Sequence, residues 1–186
     1  MKIKKANAVL ALLSILFLLM HVFYSVYAYL TMYYNPVLKY VFSIPFMVTV
    51  CLHAVLGMIS VFTRPDGFRT ELYPKQNLRT ILQRVSAALI FPLLILHINT
   101  FSLMQTCKEK GYLFLIFLLI IGEILFFAAV ITHVAVSITR AFLTLGILTS
   151  QKTQKRIDTA VYCIGAVVFI LSVIAVVRGQ VLMFFG

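Results

Sequence analysis

The sequence predicts an all-α membrane protein of five transmembrane helices, a single domain over 1–186 with its N-terminus in the cytoplasm. Three observations predict it. First, 62% of the 186 residues are hydrophobic and 11% are charged, which leaves too little polar surface to cover a globular core in water. Second, five apolar stretches, at about 8–30, 40–62, 81–103, 112–136 and 159–177, are each long enough to cross the ~30 Å hydrocarbon layer as a helix. They lack the period-two alternation of barrel strands, and a helix satisfies its own backbone hydrogen bonds in hydrocarbon. Third, the charges sort by side. Lys2, Lys4, Lys5, Arg64, Arg69, Lys75, Arg79, Arg84, Arg140, Lys152, Lys155 and Arg156 fall on the side of the N-terminus, against Lys39, Lys108, Lys110 and Arg178 on the other. This is the positive-inside asymmetry that makes the N-terminal side cytoplasmic. The net charge of +11 therefore reflects topology and not nucleic-acid binding, and a basic inner face suits anionic headgroups or an acidic docking surface on a cytoplasmic partner. The polar connections, at most about 63–79 and 140–158, are too short for a catalytic domain, so chemistry on a water-soluble substrate requires another subunit.

The first stretch follows MKIKK and imitates a signal peptide, with Val26-Tyr27-Ala28 offering small residues at a cleavage position. Its apolar run, about 8–26, exceeds the usual core of a signal peptide, so it is expected to be retained as a helix carrying His21. The outer connection that follows, YSVYAYLTMYYNPVLKY, holds six of the nine tyrosines, which in a chain without Trp supply the interfacial aromatic belt. The functional alternative is a hydroxyl that binds a quinone carbonyl. In the second stretch Gly57 lies one turn beyond His53 on the same face; it either leaves room beside the imidazole for a flat macrocycle or permits close helix packing. TRPDGFRTELYPKQN carries turn chemistry and forms the first inner connection. In the third stretch Pro92 precedes His97 and bends the helix. QTCKEKG leads outside to the fourth, with Glu123 and His133, and RAFLTLGILTSQKTQKRID leads inside to the fifth, which is free of charge over 159–177 and reads as a packing or lipid-facing span. Cys51, Cys107 and Cys163 are scattered, and with no CxxC or HExxH spacing they read as small apolar residues and not as a zinc site.

One histidine on each of four spans is the main chemical signal. Ionisable residues in hydrocarbon are costly and mark functional sites. Two helices that share one ligand must present it at equal depth. At 1.5 Å per residue, His21 lies about 20 Å from the inner surface and His97 about 18 Å, whereas His53 lies about 14 Å and His133 about 9 Å from it. Allowing for uncertain helix ends, His21 pairs with His97 and His53 with His133. Neutral imidazole is an axial ligand of haem iron, and a helix bundle encloses a porphyrin between facing helices. Four of the five helices are thus expected to form a haem-binding bundle with two stacked bis-histidine sites. A polar residue hydrogen-bonded across a helix interface remains the ordinary reading of any one histidine taken alone.

The residues LHAVLGMISVF around His53, LQRVSAALIFPLLILH ending at His97, His133 on the fourth span and LGILTSQKTQKRID before the fifth resemble the dihaem cytochrome b membrane anchors of succinate dehydrogenase and fumarate reductase. The resemblance is to the single-subunit, five-helix Gram-positive type and covers most of the chain. It implies two haem b groups, with His21 and His97 holding the one distal to the cytoplasm and His53 and His133 the proximal one. It also implies a flavoprotein subunit and an iron–sulfur subunit on the inner face, menaquinone or a similar quinone in the membrane, and a multi-pass location in a bacterial cytoplasmic membrane. The dicarboxylate chemistry would belong to the partner subunits.

Three further positions carry alternatives. Arg84, with Gln83 and Ser86, stands at the inner end of the third span, where it either pairs with propionates of the proximal haem or snorkels to the interface. Arg140, two turns beyond His133, is a weaker candidate of the same kind. Glu123 has no neighbour in sequence to neutralise it, so it is protonated or partnered across helices, or it transfers protons in quinone chemistry. Two rival functions fit part of the pattern: another dihaem carrier, such as a cytochrome b561-type reductase or the anchor of a different flavin reductase, and a non-redox transporter or assembly protein with a polar histidine pathway.

Overall fold

The computed structural model describes residues 2–62 and 74–185. In chain order it contains α1 (Lys2–Thr31), α2 (Pro36–Phe62), α3 (Pro74–Glu109), α4 (Leu113–Leu145) and α5 (Gln151–Phe184), with no strand among the described residues. All five are long and apolar enough to cross a membrane.

The helices run well past their apolar stretches. At 36 residues α3 is about 54 Å long, so both of its polar ends project beyond a ~30 Å hydrocarbon layer. Nothing in Met104–Glu109 breaks a helix, and the expected connection QTCKEKG shrinks to a turn at Lys110–Tyr112. The second inner connection shrinks likewise, to 146–150. Most of the expected first inner connection, 63–73, lies outside the described residues, and Pro74 opens α3, the position where its missing N–H is harmless.

Two turns show how local sequence sets these ends. Asn35 caps α2 by accepting from the backbone N–H groups of Val37 (2.9 Å) and Leu38 (3.2 Å), with Pro36 as the first helical residue. The Tyr24 hydroxyl fixes that turn by donating to the Asn35 carbonyl at 2.7 Å and accepting from its N–H at 2.9 Å. Gly146 ends α4 at φ 77°, a left-handed position that favours glycine, and its N–H reaches the carbonyl of Leu143.

Short connections make sequential helices antiparallel neighbours, so α1 packs on α2, α3 on α4 and α4 on α5. The fold then closes through α1, which also packs on α4 and α5. Among the described residues the backbone of α2 lies close to α1 alone and stays clear of α3 and α4. A gap is left between α2 and α3–α4. Where the other helices meet, small residues let them approach. A Cβ on Gly122 would stand 2.6 Å from Leu96 Cδ2, and one on Gly179 would stand 2.2 Å from the Tyr29 ring.

The end of the bundle that holds the start of α1 (the near end) is tied by ions. Arg79 of α3 grips Asp158 of α5 with two hydrogen bonds, of 3.0 and 2.9 Å, and donates through Nε to the Val136 carbonyl of α4 at 2.9 Å. Thr139 of α4 also donates to Asp158, so three helices share one carboxylate. At the far end Arg178 donates to the Leu30 carbonyl at 2.9 Å, and Met104, Ile116, Ile120 and Phe184 form an apolar cluster.

Candidate functional site

All four histidines border the gap. His21 stands on α1, His53 on α2, His97 on α3 and His133 on α4, and each is partly buried. His53 and His133 face one another across it, with ring centres 6.4 Å apart and ring planes inclined at 63°. His21 and His97 lie within Coulombic range of each other. His53 and His133 thus stand together, nearer the end where α1 starts.

Each imidazole is held by the same nitrogen. His21 Nδ1 meets the Ser43 hydroxyl of α2 at 3.1 Å. His53 Nδ1 points at the Asn7 carbonyl of α1 at 3.3 Å. His133 Nδ1 lies 3.1 Å from the Gln83 carbonyl and 3.2 Å from the Ser86 hydroxyl, both on α3. His97 Nδ1 meets Glu123 Oε2 of α4 at 2.7 Å. A main-chain carbonyl can only accept, so at His53 and His133 Nδ1–H is the donor and Nε2 is left as the lone-pair nitrogen, which is how ligating histidines are prepared; the Ser43 hydroxyl can donate to His21 or accept from it. In every case the partner comes from the helix next to the one that carries the histidine, so packing of the hairpins sets the orientation. Aromatic rings add a second restraint: Phe46 stacks on His21 at 5.8 Å and Phe126 on His97 at 4.7 Å.

Gln83 and Ser86 thus act on His133 itself. Gln83 has a second task, since its side-chain oxygen accepts from Arg140 at 2.8 Å, and Arg140 also donates to Thr80. Arg84 is exposed, one residue along, within Coulombic range of Arg140. Glu123 is 3% exposed and partnered, accepting from His97 and from the Thr100 hydroxyl at 2.6 Å. A Cβ on Gly57 would stand in ordinary contact with the Asn7 amide of α1 at 4.0 Å, so close packing of the two helices does not require glycine here.

Sequence reasoning missed Ser43, Asn7, Thr100, Phe46 and Phe126. Thr100 follows His97 by one helical turn, a spacing that puts both on one face toward α4 and could have been found. Asn7 contributes a main-chain carbonyl, for which no side-chain signal exists.

Among the described residues no group of three or more His, Cys, Asp or Glu side chains converges, which disfavours a site in which protein supplies every ligand. Two imidazoles are what a macrocyclic metal complex requires, because the macrocycle fills the remaining positions. No protein-family profile, no curated protein and no solved structure matches the chain.

Proposed function

We propose that the chain is a dihaem b-type membrane cytochrome. More particularly, we read it as the membrane anchor and electron-transfer subunit of a succinate dehydrogenase or fumarate reductase, passing electrons between a menaquinone-like quinone and a flavoprotein/iron–sulfur pair docked on the basic, cytoplasmic face. The observation that carries the cytochrome reading is the His53–His133 pair. Two imidazoles ligating one iron from opposite sides have ring centres about 6 Å apart, and these stand 6.4 Å apart with each Nδ1 already engaged. The gap between α2 and α3–α4 offers room for the macrocycle. When bound, haem b supplies a one-electron couple between ferric and ferrous iron.

The chain's own residues do the rest. Nε2 of His53 and of His133 would hold the haem nearer the cytoplasm, and Nε2 of His21 and of His97 the other. Ser43, Asn7, Gln83, Ser86 and Glu123 keep the rings oriented, and the Asn7 and Gln83 carbonyls hold the proton of His53 and His133 on Nδ1. The apolar helices exclude water. The anchor reading rests on the resemblance and on the charge asymmetry, which offers an acidic partner a docking face.

The test is a dithionite-reduced minus oxidised spectrum of the purified protein with a haem count per chain. The expected result is two b haems, with one lost in His53→Ala or His133→Ala and the other lost in His21→Ala or His97→Ala. A folded, colourless protein from cells supplied with haem would overturn the cytochrome reading in favour of a polar pathway. Two haems in a protein that co-purifies with no flavoprotein or iron–sulfur subunit would retain the cytochrome and overturn the anchor.

A further inference from the structure

We propose that Phe126 and Phe46 are positioning residues that fix the ring planes of His97 and His21, so that one pair of imidazoles is clamped in orientation and the other is not. The proposal rests on the haem reading above. It comes from an arrangement that occurs twice. On α4, Glu123 meets Nδ1 of His97 at 2.7 Å, and Phe126, three residues on, stacks on the same ring with centres 4.7 Å apart and planes inclined at 23°. On α2, Ser43 meets Nδ1 of His21 at 3.1 Å, and Phe46, three residues on, stacks on that ring at 5.8 Å and 17°. The two segments are Glu123-Ile124-Leu125-Phe126 and Ser43-Ile44-Pro45-Phe46, and a spacing of three puts both grips on one face of the helix beside the histidine.

An imidazole needs both grips to be fixed. Its χ2 torsion is broad, so the rotamer does not set the ring plane. A hydrogen bond at Nδ1 holds one edge of the ring and leaves it free to swing about that contact. A near-parallel phenyl stops the swing, because tilting the imidazole drives its other edge into the phenyl face. At His97 two further features tighten the clamp. Phe127 stands edge-on to the ring at 6.1 Å, and Gly122, one turn before Phe126, has no Cβ to hold off Leu96, so α3 and α4 come close enough for the rings to stack. The other pair is gripped at one edge only. Ser86 meets His133 at 3.2 Å, but the residue three further on is the exposed Leu89. Among the described residues the only ring beside His53 or His133 is that of the other.

The experiment is low-temperature electron paramagnetic resonance of the full-length, haem-loaded, oxidised protein. The g values of a low-spin ferric ion between two imidazoles depend on the angle between the ring planes, so the spectrum reports ring orientation and not merely folding. Phe126→Leu keeps an apolar side chain and removes the flat face. The expected result is that the highest-g feature lost in His97→Ala moves and broadens, while the feature lost in His53→Ala keeps its position. Phe46→Leu is expected to move the same feature by a smaller amount, since Phe46 lies farther from its ring. Phe126→Tyr, which retains the flat face, is expected to leave both features in place. Two bound haems with both features unmoved in Phe126→Leu, or both moved equally, would overturn the proposal and leave the cytochrome reading intact. Absence of a second haem in the unaltered protein would instead remove the reading it rests on. Should Phe126→Leu fail to retain haem, Phe46→Leu decides, and an unmoved feature sinks the idea.

Discussion

α4 and α2 each present one histidine to the gap, yet they are held in opposite ways. α4 is enclosed by α1, α3 and α5 and buries Ile116, Ile120, Phe126, Ala129 and Ala135 along its length. α2 leans on α1 alone, and none of its most apolar window is buried. Both are strongly apolar nonetheless. In lipid an apolar side chain is equally well solvated by a neighbouring helix or by acyl chains, so hydropathy reports immersion and not contact. What separates the two helices is where their small and polar groups reach: Gly122, Glu123 and Thr139 of α4 meet α3 and α5, whereas Ser43, His53 and the Asn35 cap of α2 all meet α1.

That comparison can be broken by substitution. Gly179→Leu, on the enclosed side, would drive a branched side chain into the Tyr29 ring and separate α5 from α1; an overpacked interface of this kind is expected to cost about 3 kcal/mol, measured by thermal unfolding in detergent. A tolerated leucine would show that α5 and α1 are not closely packed. Arg79→Ala would leave Asp158 with Thr139 but without its cation. Because both side chains of the pair are about one-fifth exposed, the loss is expected at about 2 kcal/mol, below that of a fully buried pair, and Asp158→Asn combined with Arg79→Ala should recover part of it. No recovery would mean that Arg79 acts through Val136 alone. On the lone side, Asn35→Ala removes the α2 cap and is expected to cost about 1 kcal/mol. Val48→Ala, on the exposed face of α2, is expected to change stability by less than about 0.5 kcal/mol. If Val48→Ala proved as damaging as Gly179→Leu, α2 would not be the lightly held helix described here.

The sequence is a good guide to the number of helices and a poor one to their ends. Five apolar stretches become five helices, because length and hydropathy determine crossing. The ends extend because LMQTCKE and TRAFLTL contain no residue that stops a helix once it has left the hydrocarbon, and the connections expected there were read from polarity. Depth along a helix is legible because rise per residue is fixed, and the depth count sets His53 beside His133, whose rings stand 6.4 Å apart. The hydrogen-bond partners of the histidines are not legible, because rotation about the helix axis depends on packing that an apolar surface does not encode. Arg79 was counted only as a topological charge, yet it forms the bidentate contact with Asp158, an acidic residue that polarity assigned to a connection.

The lone attachment of α2 also bears on how such a chain is built. During synthesis α1 and α2 enter the membrane before the helix that carries His133 exists, so the hairpin must wait with His53 uncovered. Once α4 is in place, the backbone of α2 still has no close neighbour but α1 among the described residues, and only the His53 ring reaches toward α4. The position of α2 is therefore the one that the rest of the bundle constrains least.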